Sequence, residues 1–529
     1  MNYMRIGFVS IYAWRPHVEH LHYLAGLARE AGHQTSFLAC DADLSSCYTK
    51  ELRPQRSDVL HCTRCRVGGI RSFESQGVHS IGDLATDRMD LPVEASDWCH
   101  SSASTLGRFE SDADFQSSSF KAFVNRLDGP TRRVYGAARR WIEQERLDAI
   151  CLFNGRMDAT RAVLEAARSA QLPFVSVERT WFGDGLLMLP GENCLGLQSV
   201  DKTMLDWRNK PLTHAQGLKA ASLVASRFLR RNGKEWRAYN LSAHITGWPI
   251  EKSRYRLLLV PGSRNEVWGH PDWSSEWRER TAAFDALIEH LGLSPNDVVL
   301  RCHPNWGELI GSADGTKAER YYTNWATKRG IHFIASTDRT STLGLIEHCD
   351  AVVVSGGSAA LEAGLLGKQV IAMGPSVYQR AGFQSDAYSS ESLRNLVLNV
   401  DLDEAEREQR SANIARQTLR FAYTMNFRLS QYVDYVRCVT TTRFEYFQGA
   451  DLNRLPNLLR TGVLQADDDT FANDQTGENE VLAVIAARQW QTLLESAPRT
   501  INTQRRNVQR RWFLRSIDHL REALPRGDL

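Results

Sequence analysis

A chain of 529 residues is too long for one hydrophobic core and calls for two or three domains. Hydrophobic residues make up 42% and charged residues 24%, which excludes a disordered or collagen-like chain. The formal net charge of +2 gives no global attraction for nucleic acid. No segment has the apolar length of a membrane-spanning helix, so the expectation is a cytoplasmic protein whose membrane contact, if any, is peripheral at the inner membrane.

The chain opens on strand, helix, strand: Arg5 to Ser10, His20 to Glu30 and Gln34 to Ala39. From Cys40 to about Gly129 the alternation breaks, and this stretch reads as an insertion beside a cleft. Cys40, Cys47, Cys62 and Cys65 fall inside it, and the closing Cys-Thr-Arg-Cys has metal-knuckle spacing. Two readings stay open for them, a structural zinc site and four reduced thiols. Alternation resumes with a helix from Phe120 to Glu145, a strand Ala149 to Phe153, a helix Ala159 to Ala170 and a strand Phe174 to Val177. Glu178 follows that strand directly and is the first candidate for an acid–base residue. Asp184, in a Gly-Asp-Gly turn, and Asp158 are the reserves. A helix from His214 to Arg231 ends the first domain, expected to span residues 1–235.

A second α/β unit, expected over residues 250–425, begins with the strand Arg256 to Val260. The loop Pro261 to Asn265 follows a strand end, which makes Arg264 a candidate phosphate contact. The strand Val298 to Arg301 runs into Cys302-His303-Pro304. Ligands of open α/β sheets bind beyond the carboxyl ends of strands, so His303 stands where a ligand is expected. The strand Ala351 to Val354 leads into Ser355-Gly356-Gly357-Ser358 and a helix carrying Glu362. Such a turn offers free backbone N–H groups and a helix N-terminus to a phosphate. No GxGxxG or P-loop spacing is present, and no Asp-x-Asp stands at a strand end. Asp41-Ala42-Asp43 matches the letters but lies inside the cysteine segment, where it reads as surface loop. Tyr423 to Tyr446 reads as helix crossing back to the first domain, with residues 426–464 as a whole making that return. Gln465 to Glu480 reads as an acidic disordered linker, and Thr503 to Ala523 as an Arg-rich amphipathic helix. That helix suits either an anionic membrane surface or packing on the protein or a partner, and packing is favoured.

The order strand–His303-Pro304, Ser/Gly turn, Glu362, Gly367-Lys368, apolar strand and Gly374-Pro375-x-x-Tyr378-x-x-x-Gly382 resembles the capsule polysaccharide biosynthesis proteins, the β-Kdo transferases and their relatives. Phe153-Asn154-Gly155-Arg156 with Pro173 to Glu178 looks like that family's acceptor-side segment. The resemblance spans about residues 145–445 by pattern. The chain departs from the pattern at Glu178-Arg179-Thr180-Trp181, where the family continues with a Gly-containing turn, and the sugar identity stays open. The resemblance implies an α/β fold of two Rossmann-like domains (GT-B type) facing a cleft, and a metal-independent glycosyltransferase. Its donor would be CMP-Kdo or a similar nucleotide sugar, and its acceptor a glycan or lipid-linked glycan in surface or capsular polysaccharide synthesis. It implies nucleotide contacts from Ser355, Gly356, Gly357, Ser358, Glu362 and Arg264, and catalysis by Glu178, His303 and Asp184. No catalytic metal is expected. The alternatives are a CDP-polyol or polyol-phosphate transferase, a UDP-sugar epimerase, and a non-enzymatic scaffold in a capsule assembly complex.

Overall fold

A computed structural model describes residues 3–85, 93–235, 243–244, 246–310, 313–498 and 502–523. Two six-stranded sheets form its framework. The first contains β1 (Arg5–Ser10), β2 (Gln34–Ala39), β3 (Val78–Ser80), β4 (Ala149–Phe153), β5 (Phe174–Arg179) and β6 (Leu186–Pro190), in the order β3-β2-β1-β4-β5-β6. The second is built from β7 (Leu257–Val260), β8 (Val298–Arg301), β11 (His332–Ile334), β12 (Ala351–Val354), β13 (Gln369–Ala372) and β14 (Gln384–Asp386), in the order β11-β8-β7-β12-β13-β14. Between β8 and β11 a small hairpin pairs β9 (Leu309–Ile310) with β10 (Ala313–Asp314). All neighbours in the two sheets are parallel except β5 and β6. This is the expected pair of Rossmann-like domains, with six strands in the second where about five were expected.

The central strands are continuous apolar runs because helices cover both faces. Every residue of Ala-Ile-Cys-Leu-Phe in β4 and of Ala-Val-Val-Val in β12 is buried. Trp141, on the 28-residue helix Ser118–Glu145, lies across β1 and donates from Nε1 to Ser36 Oγ at 2.9 Å. Gly7 makes room for it, since a Cβ there would sit 2.5 Å from the indole.

Four sequence expectations change. The helices Gln198–Trp207 and His214–Phe228, assigned above to the first domain, carry Val200, Met204, Ala221 and Val224 into the core of the second sheet. Tyr423 to Tyr446 is not one helix. The helix Glu404–Thr424 ends in a wide turn, Met425–Leu429, and the hairpin of β15 (Val436–Thr440) and β16 (Arg443–Tyr446) follows. Its β-branched residues favour strand, and Gly185 N–H donates to Val436 O at 2.7 Å, so it packs on the first domain. The acidic stretch 465–480 is folded: Glu478 is fully buried, in a paired bond with Arg420 at 2.7 and 2.8 Å, and the helices Thr476–Ala486 and Trp490–Ser496 pack on the helix His214–Phe228. The C-terminal helix starts only at Trp512. Upstream of it, Arg505 bridges to Phe447 and Arg506 N–H donates to Tyr446 O at 2.8 Å, so this segment lies extended along the β15–β16 hairpin. Among the described residues no helix is long and apolar enough to cross a membrane.

Candidate functional site at the facing strand ends

In each sheet the strand order reverses at one point, between β1 and β4 in the first and between β7 and β12 in the second. In open α/β sheets, loops diverge at such a point beyond the carboxyl ends of the strands, and ligands bind there.

In the first domain this point gathers ionisable groups. Glu178 Oε2 accepts from Asn154 Nδ2 at 3.0 Å, and Glu178 Oε1 accepts from Arg179 N–H at 3.0 Å. Asn154 holds φ at +65°, a left-handed conformation that Asn tolerates, and its Oδ1 accepts from Arg156 N–H at 3.0 Å. His17 Nε2 lies 3.5 Å from Glu178 Oε1. Burial raises the Glu178 carboxyl above the ordinary range, against the pull of Arg179 and Arg156. The His17 imidazole is pushed down to about 3, by burial first and then by Arg179, and is neutral. A carboxylate raised toward neutrality beside a neutral imidazole can take and return a proton. Its side chain keeps 25% exposure, so it remains reachable.

The reserves sit elsewhere. Asp158 is 1% exposed and accepts from Tyr12 OH at 2.5 Å, Ser102 Oγ at 3.0 Å and Tyr48 N–H at 3.2 Å, knitting the insertion to β1 and the helix Asp158–Ser169. Asp184 pairs with Lys234 at 2.8 Å and accepts from Cys438 N–H at 2.7 Å, which fastens its loop to β15.

In the second domain Gly356 and Gly357 adopt φ of +89° and +105°, which only glycine holds without strain. Gly357 is exposed and Ser358 half-exposed at the N-terminus of the helix Ala359–Leu365. The Ser355 Oγ is buried with no hydrogen-bond partner. The Gly262 loop lies against this turn, a Cβ at Gly262 meeting Ser355 O at 3.3 Å. His303 caps the short helical turn Pro304–Gly307, its Nδ1 accepting from Asn305 N–H at 3.2 Å, and burial lowers its basicity.

The structure gives Arg264 and Glu362 protein partners. Arg264 pairs with Asp112 at 2.6 Å, and its backbone N–H donates to Glu110 at 2.9 Å. Glu362 is 7% exposed and pairs with the buried Arg227 at 2.8 Å, while its other oxygen makes no hydrogen bond. Arg227 also pairs with Glu235 at 2.9 Å.

Trp273 is one of the residues that join the two halves. It presses its ring toward Gly356, whose Cβ would lie 3.6 Å from it, and donates from Nε1 to Leu195 O at 2.7 Å. Leu195 follows Cys194, a thiol raised to about 12 by burial and then by the charge of Glu178. The Ser/Gly turn and the Glu178 cluster thus face one interdomain line. The insertion closes that line further along: Ser104 Oγ donates to Asn265 O at 2.9 Å and Arg108 donates to Asn305 O at 2.6 Å.

His17 and Trp273 were not singled out, and Asn154 and Arg156 entered only as part of the acceptor-side segment. Asn154 lies just beyond β4, the same signal that marked His303, whereas His17 opens the helix His17–Glu30 seven residues after β1 ends. Trp273 carries no such signal, because its role depends on a partner 78 residues away.

Cys40, Cys47, Cys62 and Cys65, with His61, line a single cavity. His61 Nε2 and Cys47 Sγ both touch Thr49 Oγ1, at 3.1 and 3.2 Å. The soft donor set suits zinc. Among the described residues, however, no three His, Cys, Asp or Glu side chains are grouped to hold a metal ion as they stand. Asp41 and Asp43 serve as structural carboxylates here, pairing with Arg71 and accepting from Gly82 N–H at 2.9 Å.

No family model and no curated protein matches the chain. Among solved structures it is similar to a β-Kdo 2,7 transferase, KpsC of Thermosulfurimonas dismutans, at 12% identity and a TM-score of 0.34, over 67% of this chain and 89% of that one. A β-Kdo 2,4 transferase of the same organism is similar at 13% identity and a TM-score of 0.33, over 59% of this chain and 87% of that one. A UDP-N-acetylglucosamine 2-epimerase from Listeria monocytogenes is similar at 12% identity and a TM-score of 0.29, over 89% of this chain and all of that one.

Proposed function

We propose that this protein is a GT-B-type glycosyltransferase that moves a sugar from a nucleotide-activated donor to an acceptor hydroxyl. The observation that carries this reading is the junction at Trp273, which sets a Ser/Gly turn with open N–H groups against a cluster built on a raised carboxyl. In this reading the turn Ser355–Ser358 receives the donor's phosphate, and the free Ser355 hydroxyl finds its partner there. Glu178 takes the acceptor proton as the acceptor oxygen bonds to the anomeric carbon. The bond from that carbon to the nucleotide phosphate breaks, and the released negative charge falls on phosphate oxygens met by the turn and by His303. Asn154 and His17 hold the Glu178 carboxyl in place.

The donor class is CMP-Kdo or a related nucleotide sugar, and the acceptor a glycan or lipid-linked glycan of surface polysaccharide. Arg264 and Glu362 enter as nucleotide contacts only if a donor displaces Glu110 from the Arg264 N–H or uses the free Glu362 oxygen. Calorimetric titration of the full chain with CMP, CDP and UDP tests the reading. Saturable binding of a nucleotide that Gly357→Val abolishes is the expected result. CDP alone binding would favour polyol-phosphate transfer, and no binding of any of the three would favour a scaffold.

A further inference from the structure

The C-terminal helix Trp512–Ala523 is docked by its polar side. Asp518 pairs with Arg15 at 2.7 Å, which holds that face against the first domain, and accepts from Arg510 Nε at 2.8 Å within its own segment. Just upstream, Arg510 is 6% exposed and donates to Val67 O at 2.8 Å, and Arg511 N–H donates to Ser72 O at 2.8 Å. The opposite face carries Trp512, Phe513, Ile517 and Leu520, which fall on one side at helical spacing. They are 76%, 54%, 53% and 64% exposed. An amphipathic helix packed on its own protein normally buries that side.

The helix Asp58–Gly68, which this segment touches at Val67, repeats the inversion. It has no buried residue, and Val59, Leu60 and Val67 are 78%, 46% and 42% exposed. Cations rim both helices. Arg53, Arg56 and Arg64 crowd one another, so that burial first and then the charges of Arg56 and Arg64 lower the Arg53 guanidinium. Among the described residues, Arg53, Arg56, Arg64 and Arg511 form no ion pair with a carboxylate.

We propose that these two helices form a docking surface for an anionic phospholipid bilayer, with the aromatic and aliphatic side chains inserted at the headgroup boundary and the arginines on lipid phosphates. Charge selects this occupant. A second copy of the chain would bring one arginine rim against another, whereas an anionic lipid surface neutralises it. The surface is independent of the nucleotide reading, because it lies on the insertion and the C-terminal helix rather than at the facing strand ends.

Co-sedimentation of the full chain with vesicles tests the proposal, using phosphatidylcholine alone and phosphatidylcholine mixed with phosphatidylglycerol. Binding to the mixed vesicles is expected, at least about tenfold stronger than to the neutral ones and weakened by high salt. The variant Trp512→Ser/Phe513→Ser/Ile517→Ser and the variant Arg53→Ser/Arg56→Ser/Arg64→Ser should each lose at least about tenfold in affinity. All six positions lie on the surface patch, so an unchanged melting temperature will show that the fold persists. Equal binding to neutral and anionic vesicles, undiminished binding by either variant, or no binding at all would overturn the proposal. So would a dimer in light scattering that the Trp512/Phe513/Ile517 variant abolishes, which would assign the face to a second copy.

Discussion

Glu178 shows how one side chain acquires a task from its surroundings. Its place at the carboxyl end of β5, which runs to Arg179 and so includes it, is a matter of sequence, but its raised carboxyl comes from burial among Asn154, His17 and the arginines. Glu178→Gln should keep the shape and the nucleotide affinity and lower turnover by about 10²–10⁴, as expected of a lost general base. Loss of affinity with normal turnover would make it a binding residue. In the second domain, His303→Ala should cost roughly 10²–10³ in rate if, as proposed, the imidazole meets the leaving phosphate. The two glycines of the turn are a separate matter. No neighbour lies within 4 Å of a Cβ at Gly357, so the harm of Gly357→Val comes from its φ of +105° and not from crowding. A variant that binds nucleotide as tightly as the parent would place the phosphate at the Gly262 loop instead.

At the scale of elements, the insertion is the part whose role depends most on what it touches. Glu110, 2% exposed, accepts from Arg264 N–H, Asn265 Nδ2 and Tyr322 OH of the second domain. Burial pushes its carboxyl up to about 7, with Arg280 opposing. A folded-state value above the unfolded one means the fold prefers the protonated acid. Stability from this group is therefore greatest below about pH 4.5 and falls as pH rises toward 7, by an amount on the order of 3 kcal/mol. Denaturation of wild type and Glu110→Gln at acid and alkaline pH should show that the variant lacks this component, and identical pH profiles would exclude it. The same insertion carries the cysteine cavity, and the proposal there is a structural zinc drawn in by rotation of the thiols. Its expected signature is about one zinc per chain, with sulfur–metal distances near 2.3 Å, lost in Cys62→Ser while nucleotide still binds. Metal-free protein with an intact insertion would leave four reduced thiols, of which Cys47 and Cys65 are already pushed up to about 12 and 11 by burial.

Across the whole molecule, the chain returns on itself so that distant segments close both domains. The hairpin β15–β16 seats Tyr446 OH 2.9 Å from His20 Nδ1, a contact spanning 426 residues. The buried pair of Arg420 and Glu478 fixes the helices after residue 475 onto the second domain. Arg420→Met should leave the buried Glu478 with only the longer Arg416 contact at 3.5 Å and the Leu212 N–H, destabilise by up to about 3 kcal/mol and open residues 465–475 to protease. Unchanged protease resistance would mean that apolar packing alone holds them. The sequence by itself determined the two parallel sheets, because strands covered by helices on both faces must be uninterrupted apolar runs such as Ala351 to Val354. It also placed His303 and the Ser/Gly turn just beyond strand ends, and Glu178 within the end of one, where local composition is sufficient. Tertiary structure decided what composition leaves open. It chose strand over helix for Val436 to Tyr446, because a backbone partner at Gly185 was available. It ordered an acidic stretch by pairing Glu478 with an arginine 58 residues away. It gave Arg264 and Glu362 protein partners, and turned the apolar side of the last helix outward, because an ion pair at Asp518 held the other side. Each of these depends on a group remote in the chain, and no local pattern records such a partner.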